Sequence, residues 1–142
     1  MHDESLLNLK IPLRLAVTTA QGLLIVPLWF EAQGPVLWCA SQADSLLVRA
    51  LRAAPCCAFD LSTNDMPYRG LRGRGHAVCY PAQGEARLQR LLLRYLGSLD
   101  TTLARRLLRR AASEVAIEIT PAWRSGWDYT SRMRGSLGRG SS

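Results

Sequence analysis

The residues best placed to do chemistry gather at one turn. Ser41, Asp44 and Ser45 follow the apolar run Val36–Ala40 and precede a helical repeat of Leu47, Val48 and Leu51, with Arg49 and Arg52 outside it. Val36–Ala40 is rich in strand formers. Pro55 stops the helical pattern, because proline cannot extend the hydrogen-bond ladder. A strand that turns through short polar side chains into a helix can hold an anion: the first-turn amides are unpaired and the helix dipole is positive there. Asp44 or Ser45 can cap that helix by accepting one of those amides. An ordinary capped helix with no ligand is the commoner reading of the same residues, and the rest of the chain must decide.

The other reactive types are sparse. His76 is the histidine best placed to titrate near neutrality, on the polar side of an alternating stretch. The cysteines are Cys39, Cys56, Cys57 and Cys79. None forms a CxxC pair, and neither His2 nor His76 stands at zinc-ligand spacing from them, so no metal site is expected. Cysteines inside apolar strands behave as small buried hydrophobes, and reduced thiols suggest the cytoplasm. His2-Asp3-Glu4 does not open like a secretion signal, and every apolar stretch is far short of the ~20 residues of a membrane helix.

The bulk numbers fit a folded domain. The 142 residues are 48% hydrophobic and 20% charged, with net charge +7; that balance belongs to a globular chain and not a disordered one. Lys10 is the sole lysine among 18 basic residues. The arginines are scattered, and the densest group, Arg105, Arg106, Arg109 and Arg110, reads as the solvated face of a helix. Without a recognition motif, the charge does not argue for nucleic acid.

The elements that must position these residues follow from pattern and punctuation. Leu13–Thr19 alternates as a strand, Ala20-Gln21-Gly22 turns, and Leu23–Phe30 is a second strand. Pro27 places it at an edge or a bulge, since proline cannot donate to a ladder. After Gln33-Gly34 comes Val36–Ala40, and the three strands are expected to form an antiparallel meander. A helix over 44–53 and a strand over Cys56–Leu61 follow. Gly70–Tyr80 alternates with Arg72, Arg74, His76 and Val78 on one side and small or apolar residues on the other. Its three glycines mark a bend, a bulge or a close approach. Glu85–Leu96 is helical, with Arg87, Arg90 and Arg94 off its apolar face. A second helix, capped by Asp100 or Thr101, runs to about Ala112. Glu114–Thr120 is a strand broken by Pro121, and Arg124–Tyr129 adds one more. Residues 1–12 form a lead-in, 13–134 the domain and 135–142 a flexible tail. Short turns between the first strands exclude a doubly wound parallel sheet and leave a small barrel with helices outside.

The order of motifs from about residue 11 to 134 resembles the pyridoxamine 5′-phosphate oxidase-like, flavin-binding split β-barrel proteins. Arg14–Thr18, Gly22, Val26–Phe30, Leu37–Ser41, Asp44-Ser45, Arg49, Leu51 and Pro55 carry the resemblance, with Pro67–Gly70, Arg74–Ala77, Arg94–Gly97 and Trp127–Met133. It implies a mainly β fold, a six-stranded antiparallel split barrel with peripheral helices. It also implies a homodimer with FMN or a related cofactor in each of two clefts between subunits. Carried over, Val26, Pro27, Leu28 and Trp29 would lie along the isoalloxazine. Trp38, Cys39, Ala40 and Ser41 would line its ribityl and phosphate side, and Ser45 would bind the phosphate. Arg69 and Trp127 would add contacts.

One departure stands out. Flavin-binding members usually follow the serine matching Ser45 with a basic pair, and here those positions are Leu46 and Leu47. Charge-assisted bonds are roughly twice as strong as neutral ones; Arg14 and Arg49 are the candidate substitutes, Arg49 standing one helical turn beyond Ser45. Three functions follow: an FMN-dependent oxidoreductase of a small substrate, a deazaflavin-dependent reductase on the same barrel, or a non-catalytic barrel with weakened cofactor binding. The longer N-terminal segment and the C-terminal motif of true pyridoxine-phosphate oxidation are not found, and the chain carries no membrane anchor by composition.

Overall fold

The computed structural model describes residues 2–134; the segment 135–142 lies outside the described residues. The strands are β1 (Leu13–Thr19), β2 (Gly22–Leu28), β3 (Glu31–Gln33), β4 (Val36–Gln42), β5 (Cys56–Ser62), β6 (Arg69–Tyr80) and β7 (Glu114–Asp128). The helices are α1 (His2–Leu7), α2 (Leu46–Ala53), α3 (Gly84–Leu96), α4 (Thr102–Leu108) and α5 (Thr130–Arg134). All seven strands join one sheet in the order β2-β1-β5-β6-β7-β4-β3, every pairing antiparallel. The sheet curls around an apolar interior, and its two unpaired edges are β2 and β3.

Seven strands form where six were expected, and the reason is local. Phe30 is fully buried, and its backbone is taken by α3: its N–H donates to the Tyr95 hydroxyl at 3.2 Å and its carbonyl accepts from Arg94 Nε at 2.8 Å. With those groups committed, the ladder stops at Leu28 and restarts as β3. The three-strand meander is therefore corrected. β2 pairs only with β1, while β4 pairs with β3 and, from Leu37 opposite Ile119 to Gln42 opposite Glu114, with β7. Pro121 does not break the last strand either. It sits opposite Gly75, beside a register shift between Arg74 and Gly75, and a bulge is where a proline costs a sheet no hydrogen bond. The separate strand expected over Arg124–Tyr129 is the continuation of β7.

The core comes in two parts. Inside the barrel, Leu13, Leu15 and Val17 of β1 meet Leu47, Val48 and Leu51 of α2 and Ile117 and Ile119 of β7. Burying each large aliphatic side chain contributes about 1.5–3 kcal/mol. Outside the barrel, Leu88 and Leu92 of α3 pack with Ala104 of α4, Ala111 and Trp29. Thr101 caps α4, its Oγ1 accepting from the Ala104 amide at 3.0 Å; the helix ends at Leu108, short of the expected Ala112, and the chain passes through a 3-10 turn at Ala111–Ser113.

Arg87 and Arg94 of α3 tie the helix to the sheet and the lead-in, while Arg90 stays exposed. Arg94 Nη2 donates to the Leu7 and Leu9 carbonyls at 3.2 and 2.7 Å, in addition to Phe30, and Tyr95 Oη donates to the Ile11 carbonyl at 2.8 Å. Arg87 is buried against the Trp38 ring, 4.3 Å from its centroid, and pairs with Glu31 at 2.6 Å; Arg90 pairs with the same carboxylate at 2.7 Å. The hydrogen bond from Arg90 holds the Glu31 carboxyl below its ordinary value.

Candidate functional site

A cleft of about 430 Å³ opens where β2 and β4 approach across the split. Pro27, Leu28 and Trp29 form one wall and Ala40 of β4 another; Leu88 and Leu91 of α3, Leu107 of α4 and Pro12 complete the apolar lining. Trp29 is fixed by stacking on Tyr95, with centroids 5.0 Å apart and planes 11° from parallel. The volume falls in the ~300–1,000 Å³ range of small-molecule sites, and an apolar wall with few polar groups is their usual chemistry.

Glu114, the first residue of β7, is the titratable group among the lining residues. It is only 8% exposed. Its Oε2 accepts from Gln42 Nε2, which also donates to the Arg110 carbonyl at 3.1 Å. Burial pushes the carboxyl above its ordinary value, against the hydrogen bond from Gln42 and the charge of Arg110. The strand start is held in place by α3: a Cβ on Gly84 would collide with the Glu114 carbonyl.

Four of the residues expected at a cofactor, Pro27, Leu28, Trp29 and Ala40, meet in this cleft. Val26 turns inward and packs on the barrel core. Cys39 is fully buried, and burial drives its thiol well above the ordinary range, so its side chain is closed to a ligand and only its backbone remains. Trp38 is half-buried between Arg87 and Tyr80, whose ring centroid lies 5.9 Å away.

The turn after Ala40 is a helix cap. Of the two candidate caps, Ser45 takes the role: its Oγ accepts from the Val48 amide at 3.1 Å and from the Ser41 hydroxyl at 2.9 Å. Leu47 enters the core, whereas Leu46 is 46% exposed and lines a groove of about 530 Å³ with Arg49, Thr18 and Thr19. Arg49 thus borders the groove with the hairpin at Thr18 and Thr19, and no basic pair follows Ser45. The cleft fits a flat, mostly apolar ring; at the turn the exposed Asp44 carboxylate stands 3.8 Å from the Arg110 guanidinium.

Arg69 and Trp127 lie elsewhere, where β6 starts and β7 ends. Arg69 Nη1 donates to Ser5 Oγ at 2.9 Å. Trp127 sits opposite Gly70 with its ring tilted against Tyr129, and its indole N–H is buried without a partner among the described residues. His76 is exposed on β6, opposite Cys56 and Thr120, and does not line the cleft.

Sequence reasoning missed Glu114, Gln42 and the helical leucines of the cleft. Strand alternation puts Glu114 on the side away from Val115 and Ile117, which reads as solvent. Only the docking of α3 and α4 turns that side into an interior.

No family model matches the chain, and no curated protein matches it. Solved structures do. An F420 reductase is 29% identical, with a TM-score of 0.73 over 86% of this chain and 94% of the other. A candidate pyridoxamine 5′-phosphate oxidase from Listeria innocua is 14% identical, with a TM-score of 0.66 over 88% and 94%. A FAD- and heme-binding protein from Mycobacterium smegmatis is 17% identical, with a TM-score of 0.67 over 88% and 68%. No helix among the described residues is long and apolar enough to cross a membrane. The curled seven-stranded sheet, its strand order and its outer helices are thus those of the pyridoxamine 5′-phosphate oxidase-like split barrels, and this chain has that fold.

Proposed function

We propose that the chain is an oxidoreductase that binds an isoalloxazine-type cofactor, FMN or a deazaflavin, in the cleft between β2 and β4, and acts on a small substrate. The observation that carries this reading is the convergence of Pro27, Leu28, Trp29 and Ala40 on one apolar cleft of suitable size. When bound, such a ring supplies the two-electron chemistry, and the protein supplies orientation and a dry surround. Trp29, braced by Tyr95, would pack on the ring. Pro27, on an edge strand, leaves backbone free for it. Leu88, Leu91 and Leu107 would exclude water.

The deazaflavin reading has its own support. The 29% identical structure is an F420 reductase, and the exposed arginines suit a cofactor with a longer anionic tail; Leu46 and Leu47, where a phosphate would want two cations, favour instead a barrel with weakened cofactor binding. The homodimer is part of the proposal. Ile25 and Trp123, 66% and 46% exposed, share an outer sheet face with Arg14, Arg72 and Asp60, so a second copy could cover apolar surface and pair charge there.

Absorbance of the purified protein and titration of the apo-protein with FMN, the deazaflavin coenzyme and haem test this. A bound chromophore near ~450 nm, or micromolar uptake of one isoalloxazine, is the expected result. A colourless protein that takes up neither overturns the cofactor reading and leaves a non-catalytic barrel.

A further inference from the structure

Glu114 is an anomaly in the cleft. Every other lining residue is apolar: Pro12, Pro27 and Leu28 among them, with Trp29 the most polar. A carboxylate in such a place costs several kcal/mol unless it is well paired. Its pairing is poor. Gln42 Nε2 divides its two N–H groups between Arg110 O and Glu114 Oε2, and Gln42 Oε1 is buried with no partner among the described residues. The cluster therefore holds more acceptors than donors, and protonation turns the remaining oxygen of Glu114 from one more unmatched acceptor into a donor. The charged groups nearby do little to oppose this. Arg110 is exposed and lies 3.8 Å from Asp44, which shares its charge. β2 faces Glu114 with Pro27 and Leu28, α3 with Leu88 and Leu91, and α4 with Leu107.

We infer that Glu114 is the hydrogen-bond donor of the cleft, giving its O–H to a carbonyl oxygen or ring nitrogen of the bound heteroaromatic ring. This rests on the cofactor reading above and deepens it: the ligand must present an acceptor toward the start of β7, and ligand binding weakens as Glu114 ionises. A purely apolar ring would leave that O–H unmatched.

The test is a fluorescence titration of wild type, Glu114→Gln and Glu114→Leu with FMN, riboflavin and the deazaflavin coenzyme, at about pH 5.5 and about pH 8.5. Glutamine keeps a donor at both pH values; leucine has none. Wild type should bind about tenfold more weakly at the higher pH, Glu114→Gln should bind alike at both, and Glu114→Leu should be about tenfold weaker than wild type at the lower pH. A melting curve of each variant confirms that it folds. Equal affinity of wild type and Glu114→Leu at the lower pH overturns the donor assignment and leaves the cofactor reading intact. Failure of wild type to bind any of the three probes overturns the cofactor reading, and the donor assignment with it.

Discussion

Two depressions of similar size lie on the outside of this barrel, and they are built by different means. The cleft at the split is about 430 Å³ and carries a single acid among apolar walls. The other, about 470 Å³, lies on the open face of the sheet and is bordered by Arg14, Arg72 and Arg74. The second is a product of strand register alone. Pro27, Arg14, Asp60, Arg72 and Ser125 stand in one cross-strand row, and Ile25, Ala16, Ala58, Arg74 and Trp123 in the next. Alanines in the middle and large side chains at the ends make the hollow, and Arg74 lies 4.7 Å over the Trp123 ring. The first depression requires α3 and α4 to dock against strands distant in sequence. One region is thus suited to sequestering a ring from water, and the other to meeting a charged surface.

The largest effect should come from prising the helices off the cleft. Gly84→Val would drive a side chain into the Glu114 carbonyl and should cost about 3 kcal/mol, read as a lower urea midpoint, while leaving the arginine face unaltered. If the midpoint is unchanged, α3 is not what holds the start of β7. Next in size, Arg72→Glu places two acids side by side in the charged row. It should weaken self-association at least tenfold, seen by light scattering across a dilution series, with the melting temperature of the monomer little changed. An unaltered mass would move the contact between copies away from this face.

The smallest effect is electrostatic and sharpens the contrast from within the cleft. Because burial raises the Glu114 carboxyl, the folded chain holds that proton more tightly than the unfolded chain. Its contribution to stability is complete below the ordinary carboxylate value and is lost as pH climbs through the raised one. Glu31, lowered by its arginines, contributes in the opposite sense: its stabilisation is present above the ordinary value and is lost as pH falls through the lowered one. The difference in stability between wild type and Glu114→Gln should therefore move toward the variant between acid and neutral pH. A difference that stays flat with pH would mean that Glu114 is not raised.

The arginine face was legible in the sequence because alternation has a period of two, and Arg72, Arg74 and His76 fall on the exposed side of β6 as expected. Helix caps were legible for a similar reason: Ser45 and Thr101 act within three residues. What the residues alone did not disclose depends on partners far along the chain. Phe30 looked like the end of a strand until Tyr95 and Arg94 took its backbone. Arg87 read only as a residue off the apolar face of its helix, and Glu31 and Trp38 enclose it. Pro121 looked like a terminator because the bulge that admits it is set by the opposing strand. Glu114 falls in the same class, since its burial is the work of helices that its own neighbours do not announce.

The guanidinium of Arg94 has a consequence for how the molecule is made. It donates to the carbonyls of Leu7 and Leu9, which lie 87 and 85 residues earlier in the chain. At ribosomal rates of ~5–20 residues per second, those two carbonyls emerge roughly 4–17 s before the side chain that will hold them. Through that interval the two carbonyls lack this donor, and the contacts of Ser5 with Arg69 and of Leu6 with the core are what can hold the amino terminus.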